Sequence, residues 1–197
     1  MKKSAIAALY ILAAGISPAF AHLNPNDHGS LASGFSHPLF GADHILAMLV
    51  VGLWAWQIGG KALWAIPCTF VGTMIVGFAL ALGGIQLPFV EPAILASIVA
   101  LGLLVALAIQ TPVKIGAVVV GLFALFHGYA HGGEIGSASQ ISFAIGFAMA
   151  TALLHAMGVC VGFALGGLFG DKNRMALNVT RMLGGLTLLA GLGMLSA

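Results

Sequence analysis

Six nearly unbroken apolar stretches, each close to the ~20 residues a helix needs to cross a bilayer, set the terms on which this chain can fold. They fall at about residues 38 to 58, 62 to 83, 92 to 109, 112 to 131, 140 to 169 and 175 to 195. Hydrocarbon offers no partner to a bare peptide N–H or C=O, so such runs close their backbone hydrogen bonds internally, as helices. With 60% hydrophobic and 6% charged residues over 197 positions, the expected fold is an all-α membrane protein, a six-helix transmembrane bundle over 38–197. Net charge is only +2 and the basic residues are scattered singly, which leaves no electrostatic footprint for nucleic acid. The partner implied is the lipid bilayer.

Ahead of the bundle, residues 1–21 have the three parts of a secretory signal peptide: Lys2 and Lys3, an apolar core from Ala5 to about Ile16, and Pro18-Ala19-Phe20-Ala21 with small residues at the A-x-A positions. Cleavage before His22 is expected, leaving 22–37 as an external N-terminal segment. An uncleaved first span is the alternative, and the short apolar core disfavours it. Alternating the six segments from an external start puts Lys61, Lys114, Lys172, Arg174 and Arg181 at the cytoplasmic side, and Asp27, Glu91 and Glu134 outside. That is a positive-inside pattern, with both mature termini external.

Pro38, Pro92 and Pro112 are expected in the first turn of a segment, where a missing N–H goes unnoticed, and Pro67 to bend the second helix. Gly158, Gly162, Gly166 and Gly170 recur every four residues, a small-residue seam for close helix packing, in a segment long enough to tilt or break near Gly166-Gly167. Cys68 and Cys160 stand alone in apolar runs and read as small buried hydrophobes, with no disulfide framework.

Against this background the ionisable groups stand out, because at membrane depth they are expensive and mark functional sites. His127 and His131 are four apart and Glu134 three further on, so a helix carries them in one stripe, although Gly132-Gly133 is expected to fray it before Glu134. His37, His44 and Met48 share a face of the first segment, while Asp43 points roughly 120° away. Asp43 is then either a ligand from another angle or a partner that orients a histidine ring. Both groups fall at external helix ends and can form one site; His155 lies about 20 Å down the fifth segment at ~1.5 Å per residue, a second station or a core histidine. Neutral imidazole with carboxylate suits nickel, zinc, cobalt or copper, whereas magnesium and calcium call for oxygen ligands. The metal-site candidates are His37, Asp43, His44, His127, His131, Glu134 and His155.

The pattern H-P-x-x-G-x-D-H carried by His37 to His44, with Met48 and Gly52-Leu53 after it, resembles the opening motif of the HupE/UreJ nickel permeases. F-H-G-x-A-H-G-x-E from Phe126 to Glu134 resembles their second motif, and the likeness extends to Pro88 to Glu91 and to Ala150-Thr151-Ala152-Leu153-Leu154-His155. The resemblance implies a multi-pass bacterial inner-membrane carrier for nickel, in some members cobalt, whose cargo supplies hydrogenase or urease maturation through nickel chaperones. Both mature termini would then face the periplasm. No permanently bound cofactor is expected; Ni²⁺, with Co²⁺ or Zn²⁺ as alternatives, is the transported ion.

The residues themselves favour a carrier over an enzyme. No G-x-x-x-x-G-K-[ST] loop for ATP is present, so the energy must come from a gradient, the membrane potential or metal trapping inside. One rival is an intramembrane zinc hydrolase, since His127-x-x-x-His131 has the ligand spacing of H-E-x-x-H; Gly128 stands where that motif has its general-base glutamate. A metal sensor or accessory subunit without flux is the other.

Overall fold

A computed structural model describes residues 30–132, 139–170 and 173–196. The expected signal peptide 1–21, His22, Asp27, Glu134 and Lys172 lie outside the described residues. Within them the chain forms seven helices and no strand: α1 Ser30–Phe40, α2 Ala42–Ile58, α3 Ala62–Leu82, α4 Val90–Ala106, α5 Val113–Gly132, α6 Gln140–Phe169 and α7 Arg174–Leu195.

Four of these, α3, α5, α6 and α7, are long and apolar enough to cross a membrane, and α1 with α2 makes a fifth if that bent pair is one span. α4 is apolar but has 17 residues. Large apolar side chains such as Val118, Leu122, Ile141, Leu168 and Met182 point outward. A helix apolar on every side belongs in a core or in lipid, and with so many bare faces the second case holds: this is a membrane protein.

The first segment departs from expectation. Helix begins at Ser30 rather than Pro38, and Pro38 lies inside α1 near its end. Gly41 then takes an extended conformation (φ −87°, ψ 116°), and α2 leaves at 83° to α1. His37 therefore shares no helix face with His44 and Met48; it arrives on a separate helix. What keeps the Pro-bearing α1 helical is tertiary packing, for Gly34 sits against the Phe143 carbonyl and Gly146 of α6 against that of Leu31. Pro92 does lie in the first turn of α4, and Pro112 accepts the first backbone bonds of α5.

Glycines set the remaining contacts. Gly52 and Gly158 bring α2 and α6 together side by side and in the same direction, with Gly162 packed on Trp56 one turn further. Gly77 and Gly128 do the same for α3 and α5, while Gly102 and Gly184 join α4 to an antiparallel α7. The glycine seam of α6 is thus real at Gly158 and Gly162. α6 runs unbroken to Phe169 through Gly166-Gly167, and Gly170 ends it at φ 95°.

Cys68 and Cys160 are exposed on the outside of the bundle, not buried. Cys68 is two residues from buried Ile66 and Phe70, and Cys160 two from Gly158 and Gly162. Two positions on a helix turn a side chain about 200° away from the packed face. Met48, Trp54, Phe70, Met74, Ile98, Leu101 and Phe147 form the centre of the core.

Candidate metal-transport site

The direction of each helix decides where its ionisable residues meet. α2 starts, and α5 ends, at the same level, so His44 in the first turn of α2 faces His131 in the last turn of α5, and their Nε2 atoms are 2.5 Å apart. His37 joins them from α1, with ring centroids 4.5 Å from His131 and 6.1 Å from His44. Phe143 and Phe147 of α6 wall this group: Phe147 lies 4.8 Å from the His131 ring and Phe143 5.8 Å from that of His37. Three helices thus deliver three imidazoles to one place. Glu134 is outside the described residues, and within them no three His, Cys, Asp or Glu side chains already converge on a single metal position.

Asp43 settles its geometry, if not its chemistry. Its Oδ1 is 2.9 Å from His44 Nδ1, so the ring donates Nδ1–H to the carboxylate. In a neutral imidazole that leaves the lone pair on Nε2, the atom facing His131, which therefore supplies the proton between the rings. A carboxylate fixing a ring's tautomer in this way is the usual outer support of a metal-binding histidine.

His127 lies one turn inward of His131 and is fully buried, its ring 5.3 Å from that of His44. Ser97 of α4 reaches its Nε2 at 2.9 Å and donates its own hydroxyl to the Ile94 carbonyl at 2.6 Å. A hydroxyl has one hydrogen. Because Ile94 takes it, Ser97 can only accept, and His127 must carry its proton on Nε2. Its Nδ1 then presents a lone pair, and this atom is buried with no hydrogen-bond partner among the described residues. Ser97 was not singled out from the sequence; its signal was a hydroxyl inside an otherwise apolar run, 30 residues from the ring it serves.

Further in, His155 is fully buried, and neither ring nitrogen has a hydrogen-bond partner among the described residues. A core histidine tied to a backbone carbonyl would not look like this. Its backbone lies level with Gly52 of α2, eight residues past His44, about 12 Å along that helix at ~1.5 Å per residue. The Phe70 ring touches both inner histidines, 5.8 Å from His127 and 4.8 Å from His155. At the opposite end of the bundle Lys61, Lys114, Arg174 and Arg181 gather where α2 and α4 end and α5 and α7 begin.

Comparison with known proteins places the chain. Residues 9–194 match the family described as HupE / UreJ protein. The chain belongs to the HupE/UreJ family. Protein HupE of Rhizobium leguminosarum bv. viciae is 43% identical over 196 residues, covering 99% of both chains. No solved structure matches. Both histidine motifs therefore sit inside a family match that spans nearly the whole HupE/UreJ chain.

Proposed function

We propose that the protein is a six-span permease that carries a divalent transition metal, nickel above all, from the periplasm to the cytoplasm. Its membership of the HupE/UreJ family suggests a nickel- or cobalt-transport role. The observation that carries the reading is the meeting of His37, His44 and His131 from three helices above a buried His127 whose free lone pair lies one turn further in. A hydrated ion sheds water onto these imidazoles. By the zinc–imidazole distance of ~2.0–2.1 Å, two nitrogens sharing one metal stand about 3 Å apart, so the cation enters between His44 and His131 once the rings part by roughly half an ångström and His131 carries its proton on Nδ1 instead of Nε2. Glu134 supplies a carboxylate to the same ion. Asp43 holds His44 in the tautomer that ligates.

From there the ion steps to His127 and then to His155, passing the Phe70 ring. Imidazole without thiolate gives intermediate softness, which suits an ion that must leave again. The positive-inside pattern supports an orientation with the histidine end in the periplasm and both termini outside the inner membrane. Nickel chaperones of hydrogenase or urease would receive the cargo. A hydrolase has little room here, since Gly128 occupies the position of a general base and is packed against the Met74 backbone.

The test is uptake of nickel, cobalt and zinc into sealed proteoliposomes by the intact chain, His44→Ala and His131→Ala. Loss of uptake in both variants, with nickel the best substrate of the intact chain, is expected. Unchanged flux in both, or tight binding by the intact chain with no flux at all, would overturn the reading.

A further inference from the structure

Among the described residues, four buried side-chain atoms lack a hydrogen-bond partner: His127 Nδ1, both ring nitrogens of His155, and Gln57 Oε1. The first three belong to the path above. The fourth stands at the other end of the same bundle, in the last turn of α2, 13 residues past His44 and so about 20 Å along the helix at ~1.5 Å per residue. Unpartnered polar atoms in a native interior are rare and call for an explanation.

The orientation of the Gln57 amide is fixed by its surroundings. Its Nε2 is 3.2 Å from the Val105 carbonyl and 3.0 Å from Thr180 Oγ1. A carbonyl only accepts, and Thr180 sends its own hydrogen to the Leu177 carbonyl at 2.9 Å. Both neighbours therefore require the NH₂ group, and turning the amide over would set oxygen against oxygen. Gln57 is held by its nitrogen, with its oxygen left over, in a side chain that is 1% exposed.

We infer that Gln57 Oε1 is the inner station of the metal path, a neutral oxygen that receives the divalent cation, directly or through one of its waters, as it leaves His155 for the cytoplasmic face. This inference rests on the transport reading above. Its chemistry suits an exit: carbonyl oxygen is a poorer donor than imidazole for nickel or cobalt, so affinity declines inward and the ion is not trapped. Arg181, next along α7 from Thr180, donates to the Ala106 carbonyl at 2.8 Å. Its positive charge at this end favours departure of a cation over storage.

The experiment uses the full chain in proteoliposomes with nickel(II), comparing the parent, Gln57→Leu, Gln57→Glu and His44→Ala. Gln57→Leu is expected to lower the maximal uptake rate about tenfold while KM, set at the distant outer site, stays within twofold. Gln57→Glu is expected to slow release: in detergent, equilibrium dialysis of Gln57→Glu combined with His44→Ala and His131→Ala retains about one nickel that the same double variant with Gln57 does not. If His44→Ala abolishes uptake while Gln57→Leu keeps the parental maximal rate, the oxygen merely binds a buried water and this inference falls alone. If the parent does not transport, or His44→Ala transports normally, the transport reading falls first. Should Gln57→Leu fail to fold, the dialysis decides, and no added nickel retention in the glutamate variant overturns the assignment.

Discussion

Replacing Ser97 by alanine removes one oxygen that touches no metal in any step proposed here, yet it should cripple transport. Ser97 spends its hydrogen on Ile94 and accepts from His127 Nε2, and that single bond keeps the lone pair on Nδ1. Without it, His127 keeps an unsatisfied N–H in an apolar span, at a cost of about 1–3 kcal/mol, or moves the proton to Nδ1 and turns its lone pair away from the outer histidines. Since 1.4 kcal/mol is a factor of ten, the ligating tautomer loses one to two orders of magnitude in population. Outer-shell partners of metal-binding histidines carry effects of about 10–100-fold, the same range. Nickel uptake in proteoliposomes should fall by that factor in Ser97→Ala and be largely restored in Ser97→Thr, which returns the hydroxyl. Nitrogen-15 NMR of histidine-labelled protein reads the His127 tautomer directly. An Ser97→Ala protein with the parental tautomer and parental uptake would refute the argument.

Other perturbations follow from the same geometry. Asp43→Asn should cut nickel affinity about 10–100-fold by loosening the His44 ring, measured by titration calorimetry. Gly128→Ala puts a methyl group into the Met74 backbone, which forces α3 and α5 apart and should destabilise the protein by about 1–3 kcal/mol or more, whereas Gly72→Ala meets nothing within 4 Å and should be neutral or slightly stabilising; thermal unfolding in detergent compares the two. Imidazolium has no lone pair to give, so protons compete with the metal and uptake should weaken as the external pH falls; a flat profile from pH 8 to 5 would argue against imidazole ligands.

Much of this was legible in the chain itself. Apolar runs of bilayer length gave helices, and His127 with His131 at a four-residue spacing gave a shared face that the structure retains on α5. The meeting of the two histidine motifs followed from depth alone. What escaped was local: S-H-P-L-F-G reads as a helix start, because proline favours a first turn, and only the contacts of Gly34 and Gly146 across more than a hundred residues reveal α1 as a helix of its own. Ser97 and Gln57 escaped for a related reason. Each is a single polar residue in an apolar run, and its partners lie 30, 48 and 123 residues away, beyond any periodicity. The cysteines, by contrast, could have been placed, since their offset from the glycine and apolar stripes already turned them toward lipid.

The bend at Gly41 gives the outermost imidazole a helix of its own, yet both arms of the bend are anchored to one neighbour: α1 packs on α6 at Gly34 and Gly146, and α2 packs on it at Gly52 and Gly158. An ion gripped by His37 and His44 together would tie the two arms a second time, at the mouth, and close a triangle of which α6 is the third side.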